Sequence, residues 1–133
     1  MEFSNIILET SDRIATITLN RPAALNSLSA ALLGELEAAL TKVERDDEID
    51  VLILTAAGEK GFCAGMDLRD FEAGKTDLTS TKRVLDKLED FAKPTIGAIT
   101  DGYCITGGLE FALSCDILVA SDKAVFGDTH ARI

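Results

Sequence analysis

Three short, continuous apolar runs, separated by helical patterns, most constrain the fold of this chain. They cover residues 51–55, 95–99 and 116–120. Runs of this length, bounded by turn residues, are typical of strands that are buried on both faces of a parallel sheet. The alternation of strands and helices predicts an α/β fold with largely parallel pairing, and 133 residues fit one domain.

The segments around these runs complete the predicted order of elements. Residues 6–10 and 14–19 are predicted to form two strands, and residues 11–13 between them predict a hairpin. Ser29 is a candidate N-cap for a helix that reaches about residue 45, because leucines recur after it at helical spacing. Further predicted elements are a helix over 79–91, a short helix from Gly107 and an apolar segment at 124–127.

Charge and cysteine usage exclude several classes of function. The chain has 13 basic and 23 acidic residues, a net charge of −10, which argues against a nucleic-acid surface. No apolar stretch approaches the ~20 residues of a membrane span, and no secretory signal is visible. Cys63, Cys104 and Cys115 are odd in number and lack metal-type spacing. We therefore predict reduced, buried cysteines, no metal site and a cytoplasmic protein.

The segment from residue 102 to residue 116 carries the strongest sign of chemistry. Gly107 and Gly108 open a predicted short helix, and backbone N–H groups at a helix start attract negative charge. Glu110 then lies among apolar and small residues, which makes it a candidate general acid or base. The segment therefore combines an anion-stabilising turn with a proton-transfer group.

A second glycine-containing loop is predicted to face the same site. Residues 61–67 follow the strand at 51–55, and residues 102–108 follow the strand at 95–99. Ligands of parallel sheets bind beyond the carboxyl ends of strands, so both loops are expected at one pocket. One backbone N–H from each loop could then hold one oxygen atom, as in an oxyanion hole. From the residues alone, simple turn glycines and an exposed Glu110 remain alternatives, as does a surface position for His130.

Five stretches, taken together and in this order, resemble the crotonase superfamily, the enoyl-CoA hydratase/isomerase group. The stretches are residues 19–26, 61–68, 93–99, 102–110 and 114–120. The resemblance implies a spiral of ββα units, the ClpP/crotonase fold, and an acyl-CoA thioester as substrate without any further cofactor. It also implies homotrimers or hexamers, and an enolate that is held by the backbone N–H groups of Met66 and Gly107.

The resemblance also implies roles for individual residues. Glu110 matches the first catalytic glutamate of the hydratases. His130 stands where a second glutamate is expected, and Asp128 lies two residues earlier. Histidine also exchanges protons near neutral pH. Residues expected to line the substrate or its coenzyme A part are Ala24, Leu25, Ala64, Met66, Asp67, Leu68 and Arg69.

Three functions follow from the resemblance. The first is hydration of an enoyl-CoA in fatty-acid oxidation, and the second is double-bond isomerisation with a single carboxylate. The third is a non-catalytic acyl-CoA-binding homologue, against which Glu110 argues. Because family members continue beyond residue 133 for about as much again, residues 1–133 are expected to be the N-terminal part of a truncated crotonase-like domain. We expect this part alone to expose apolar surface and to be weakly active or inactive.

Overall fold

Eight strands and four helices make up the computed structural model, which describes residues 2–129. The strands are β1 (Ile6–Ser11), β2 (Ile14–Leu19), β3 (Val51–Ala56), β4 (Gly61–Cys63), β5 (Thr95–Ile99), β6 (Gly102–Ile105), β7 (Ile117–Ala120) and β8 (Ala124–Gly127). The helices are α1 (Ala30–Glu44), α2 (Leu68–Glu72), α3 (Leu78–Glu89) and α4 (Gly107–Leu113), and a 3₁₀ turn covers Pro22–Ala24.

The strands form two sheets. The five-stranded sheet has the order β1-β2-β3-β5-β7, with β1 antiparallel to β2 and the other neighbours parallel. The three-stranded sheet has the order β4-β6-β8 and is parallel throughout. Each of the pairs β3–β4, β5–β6 and β7–β8 gives one strand to each sheet, and helices follow the first two pairs. This is the expected spiral of ββα units.

Local signals account for the hairpin and the first helix. Asp12 and Arg13 have φ values of 53° and 67°, as a two-residue hairpin turn between twisted strands requires. The Ser29 hydroxyl accepts a hydrogen bond of 3.1 Å from the Leu32 N–H, so the predicted N-cap is confirmed. The helix α1 packs against α3, β1 and β2, and its apolar stripe is buried, through Leu32, Leu33, Leu36, Leu40 and Val43.

Three elements were not predicted from the sequence. The short strands β4 and β6 lie in segments that were interpreted as loops, and α2 follows the first of them. The helix predicted over 79–91 begins one residue earlier and ends at Glu89. These differences matter for the site, because the two glycine turns leave β4 and β6 rather than β3 and β5.

The chain exposes apolar side chains around β7 and β8, as expected. The exposed residues are Leu113, Ile117, Leu118, Val119, Val125 and Phe126. The apolar run at 116–120 predicts a strand that is buried on both faces, but all four residues of β7 are exposed. Among residues 2–129, β7 is the edge strand of the larger sheet. In the same part of the chain, no helix combines the length and the apolar character needed to cross a bilayer.

Candidate active site

The two glycine turns meet at one edge of the smaller sheet. β4 and β6 are parallel neighbours, so the turns that follow them emerge side by side. The prediction of one shared site is therefore supported, but its structural reason was wrong. The sequence predicts both turns at the carboxyl ends of β3 and β5 in the larger sheet, whereas a further short strand, β4 or β6, precedes each turn.

Backbone atoms of the two turns approach each other closely. A Cβ placed on Gly107 would lie 3.4 Å from the Cα of Gly65 and 3.6 Å from the backbone nitrogen of Met66. A Cβ placed on Gly65 would lie 3.3 Å from the nitrogen of Gly107. A Cβ on Gly65 would also overlap the Thr106 hydroxyl, so a side chain at this position would push the turns apart, and glycine allows their backbones to lie this close.

The direction of the Met66 N–H is set by a single parallel β-bridge. Leu28 donates its N–H to the Gly65 carbonyl at 2.8 Å, and its own carbonyl accepts the Asp67 N–H at 3.1 Å. Because successive residues of an extended segment point to opposite edges, the N–H of Met66 points away from Leu28. Within residues 2–129 this N–H donates no hydrogen bond.

Gly107 supplies the second amide as the first residue of α4. The first N–H groups of a helix have no acceptor within the helix, and the first helical bond here runs from the Glu110 N–H to the Thr106 carbonyl at 3.0 Å. With only seven residues, α4 adds little through its dipole. Two backbone N–H groups, of Met66 and Gly107, are thus the donors that the turns bring together.

Glu110 follows Gly107 by three residues and therefore lies on the same side of α4. Helical Cα–Cβ bonds tilt toward the N-terminus, which directs this side chain back toward the glycine turn. Glu110 is exposed, so the expectation of apolar surroundings was wrong. The apolar neighbours Phe111 and Ala112 point instead to the core, where they are buried.

The residues expected on the coenzyme A side come from two segments that touch. The Ala64 N–H donates to the Leu25 carbonyl at 3.1 Å, which joins the 3₁₀ turn that ends at Ala24 to the first glycine turn. Leu68 and Arg69 are exposed at the start of α2, directly after this turn. The structure therefore brings the predicted set together.

Asn26 fixes this arrangement, and sequence reasoning did not assign it a role. Its side chain is fully buried and donates to the carbonyls of Ala57 at 2.9 Å and Gly61 at 3.0 Å. Its side-chain oxygen accepts the Arg21 N–H at 2.7 Å. A buried amide with all these bonds made holds residues 21–26 against the start of β4. The motif that contains Asn26 is visible in the sequence, but two of its three partners, Ala57 and Gly61, lie more than 30 positions away.

The carboxylate of Asp67 contacts other groups of the protein itself. It accepts the N–H groups of Arg69 at 3.0 Å and Asp70 at 3.2 Å, and so caps α2. It also forms a largely buried ion pair of 3.1 Å with Arg21. Burial alone would raise the pKa of Asp67, but the bonds from the Asp70 N–H and from Arg21 outweigh it and hold the pKa below its usual value.

Removing this carboxylate is expected to destabilise the fold in a pH-dependent way. We expect Asp67→Ala to lower the free energy of unfolding by about 1–3 kcal/mol at pH 7, because α2 loses its cap and Arg21 loses its partner. Because the pKa of Asp67 is lowered in the folded state, the ionised carboxylate stabilises the fold fully at pH values above its unfolded pKa of about 3.9. This stabilisation is lost as the pH falls through the folded pKa. Urea unfolding at pH 7 and at pH 3 measures this: the difference between variant and parent should shrink at the lower pH. An equal difference at both values would contradict it.

The three cysteines are buried and free, as predicted. Burial raises the pKa of the Cys63 thiol to about 12 and those of Cys104 and Cys115 to about 11. Thiols of this kind stay protonated at neutral pH and are poor nucleophiles. They serve packing rather than chemistry: Cys63 and Cys104 lie in β4 and β6 before the glycine turns, and Cys115 lies against Gly97 of β5.

The second predicted acid–base group, His130, lies outside the described residues. Asp128, which precedes it by two positions, is described. It directly follows Gly127, whose carbonyl accepts the Thr106 N–H at 3.1 Å. Asp128 therefore follows directly on a residue that is bonded to the second glycine turn.

A groove of about 460 Å³ lies elsewhere, at the carboxyl edge of the larger sheet. Its lining includes Thr55, Glu59, Thr100, Asp101 and Ser121. The groove does not include Met66, Gly107 or Glu110, and it is open to solvent. The two glycine turns are the stronger candidate, because backbone N–H groups of two separate turns lie close together there, and paired donors of this kind stabilise a negatively charged oxygen.

The fold and the paired turns define an α/β spiral that resembles solved enzymes. Enoyl-CoA hydratase from Bacillus anthracis superimposes with a TM-score of 0.89 at 36% identity, over 97% of this chain and 52% of that one. The sequence model of the enoyl-CoA hydratase/isomerase family matches residues 9–133. The chain therefore belongs to the enoyl-CoA hydratase/isomerase family and has the crotonase fold.

Curated relatives agree with this assignment. Short-chain-enoyl-CoA hydratase from Clostridium acetobutylicum is 41% identical over 100% of this chain and 52% of its own length. (E)-benzylidenesuccinyl-CoA hydratase from Thauera aromatica is 39% identical over 96% of this chain and 51% of its own length. The chain thus spans about half the length of these relatives.

Proposed function

We propose that the protein is an enoyl-CoA hydratase-like enzyme that acts on acyl-CoA thioesters through an oxyanion-stabilised enolate. The observation that carries this proposal is the convergence of the Met66 and Gly107 turns at one edge of the smaller sheet. Relatives that are named hydratases, at 39–41% identity, support the same reaction.

The chemistry follows from where charge develops. When water adds to the β-carbon of an α,β-unsaturated thioester, electrons move onto the carbonyl oxygen, and an enolate forms. The N–H groups of Met66 and Gly107 would stabilise that oxygen without reorganising during the reaction. Glu110 would accept the proton that the attacking water loses, and a second acid–base group, for which His130 is the candidate, would give a proton to the α-carbon and so complete the hydrated product.

The coenzyme A side of the substrate would lie along the joined segments before and after β4. Ala24, Leu25, Ala64 and Met66 would supply backbone and small apolar surface, while Leu68 and Arg69 extend it into solvent. Asp67 would act indirectly, because its carboxylate holds Arg21 and the start of α2.

Isomerisation with Glu110 as the single carboxylate is the second candidate. It uses the same pair of amides, and His130 at the position of a second glutamate favours it. A homologue that binds acyl-CoA without chemistry is the third candidate.

Absorbance of the conjugated thioester separates these candidates. The protein is expressed from its complete coding sequence and mixed with crotonyl-CoA or with a 3-enoyl-CoA. Loss of absorbance from crotonyl-CoA is the expected result and indicates hydration. A gain from the 3-enoyl substrate indicates isomerisation instead, and tight acyl-CoA binding without either change would overturn both enzyme assignments.

Several wider expectations belong to the same proposal. The intact protein is expected to act in fatty-acid oxidation in the cytoplasm, as a homotrimer or hexamer, with no cofactor besides its acyl-CoA substrate. Residues 1–133 are expected to be the N-terminal part of a larger crotonase-like domain and to be weakly active alone. Comparison of turnover between residues 1–133 and the complete protein addresses that last expectation.

A further inference from the structure

Thr106 has a backbone conformation that threonine rarely adopts. Its φ is 48° and its ψ is −118°, and it immediately precedes Gly107. Positive φ is unfavourable for residues other than glycine, and most of all for β-branched ones. Such strain persists only where the surroundings enforce it, and it clusters at functional sites.

Three hydrogen bonds hold Thr106 in this conformation. Its N–H donates to the Gly127 carbonyl at 3.1 Å, and its carbonyl accepts the Glu110 N–H at 3.0 Å. Its hydroxyl donates to the Ala64 carbonyl at 3.2 Å, across the gap between the two glycine turns. The last bond is the one that joins the two halves of the candidate site.

The hydroxyl of Thr106 occupies space that Gly65 leaves empty. A Cβ on Gly65 would overlap this oxygen. Gly65 itself has a φ of 99°, so both its conformation and its missing side chain suit the contact. Thr106 and Gly65 are therefore a matched pair, with one residue from each turn.

The backbone of Thr106 acts on one amide of the site, and its side chain acts on the other. Its ψ angle sets the plane of the peptide that carries the Gly107 N–H. With the φ and ψ angles that threonine usually adopts, the Gly107 N–H would point in a different direction. Its hydroxyl holds the carbonyl of Ala64, two residues before Met66. One side chain thus links the direction of one donor to the position of the other.

We propose that Thr106 is a positioning residue that aims the Gly107 N–H and fixes its distance from the Met66 N–H. The proposal rests on the proposed oxyanion function of these two amides. A glycine at this position would adopt the same backbone conformation without strain, but it would lack the hydroxyl that reaches Ala64. The hydroxyl is therefore what the strained threonine contributes.

Three substitutions test the role in the protein expressed from its complete coding sequence. Thr106→Val keeps the shape and removes the hydroxyl, and we expect kcat for crotonyl-CoA to fall about tenfold or more with KM within about twofold. Thr106→Ser keeps a hydroxyl, so this variant should retain most of the kcat of the parent. Thr106→Gly removes both strain and hydroxyl, so Tm should rise by a few degrees while kcat falls.

Thr55→Val is the matched control. The Thr55 hydroxyl also donates to a backbone carbonyl, that of Ala98 at 2.9 Å, but in the larger sheet. We expect this variant to lose some stability and to keep its kcat. A purely structural role for Thr106 predicts instead that kcat follows Tm across all variants, and that result would overturn the proposal.

The carbonyl stretch of bound butyryl-CoA gives a readout of the donors themselves. In the parent, the thioester C=O frequency should fall on binding, because two N–H groups polarise the bond. Thr106→Val and Thr106→Gly should lose much of this shift, and Thr106→Ser should retain it. An unchanged shift in the first two variants would refute the positioning role alone. A parent without any shift would refute the oxyanion function, and the positioning role with it.

Discussion

Glu110→Gln is expected to slow hydration of crotonyl-CoA by about a hundred- to ten-thousandfold, the usual contribution of a general acid or base. Glutamine keeps the size and the hydrogen-bonding reach of the side chain but accepts no proton. Glu110 lies one turn after Gly107, on the same side of α4, so it is placed to act beside the two amides. Binding of butyryl-CoA should be nearly unchanged, because the backbone donors remain.

The rate is followed by the loss of thioester conjugation, and binding by calorimetry. Glu89→Gln is a suitable control, because Glu89 is also an exposed helical glutamate but ends α3. Glu89→Gln should leave both the rate of hydration and the affinity for butyryl-CoA unchanged. Hydration by Glu110→Gln within a few fold of the parent would show that another group carries the proton, and His130 or Asp128 would then be examined by the same substitution strategy.

Elements that depend on neighbouring residues could be predicted from the sequence. The hairpin of β1 and β2, the Ser29 cap and the apolar stripe of α1 all follow from residues close together in the chain. The strand at β3 follows from its continuous apolar run. Their local preferences and their final environment agree, and this agreement is what makes them predictable.

The strands β4 and β6 could not be predicted in this way. They have three and four residues, two of them glycines, and exist because β6 pairs with β4 on one side and with β8 on the other. Sheet pairing between distant segments overrides weak local preference. This is why the site was assigned to the edge of the wrong sheet, although the two turns were rightly expected to meet.

In the candidate site, too, features that depend on residue type could be predicted, and features that depend on distant contacts could not. The glycine turn and Glu110 could be proposed from residue types, and Met66 became a candidate only through the family resemblance. The supporting contacts of Asn26, Asp67 and Thr106 reach across 31 to 46 positions of the chain or depend on a backbone conformation, so a single sequence carries no sign of them. The exposure of Glu110 likewise depends on which face of α4 the core covers.

Gly108→Ala is expected to destabilise the protein by about 2–4 kcal/mol, the effect of overpacking where neither side can move. A Cβ on Gly108 would overlap the Cys63 carbonyl oxygen and lie 2.8 Å from the carbonyl carbon. Pairing of β4 with β6 holds Cys63 in place, and the Asn26 side chain holds Gly61. The start of α4 must therefore move away, and the Gly107 N–H moves with it.

Substitutions at two other glycines test whether the close approach of α4 to β4 causes this loss of stability. A Cβ on Gly107 would first meet the Leu28 side chain at 3.2 Å, which can shift, so Gly107→Ala should cost less stability than Gly108→Ala. Gly34 is exposed in α1 with open space around it, so Gly34→Ala should stabilise by about 0.5–1 kcal/mol. Urea unfolding followed by circular dichroism ranks the three variants. If Gly108→Ala unfolds at the same urea concentration as Gly107→Ala, contact between α4 and β4 does not set the spacing of the two turns, and the geometric basis of the proposed oxyanion hole fails with it.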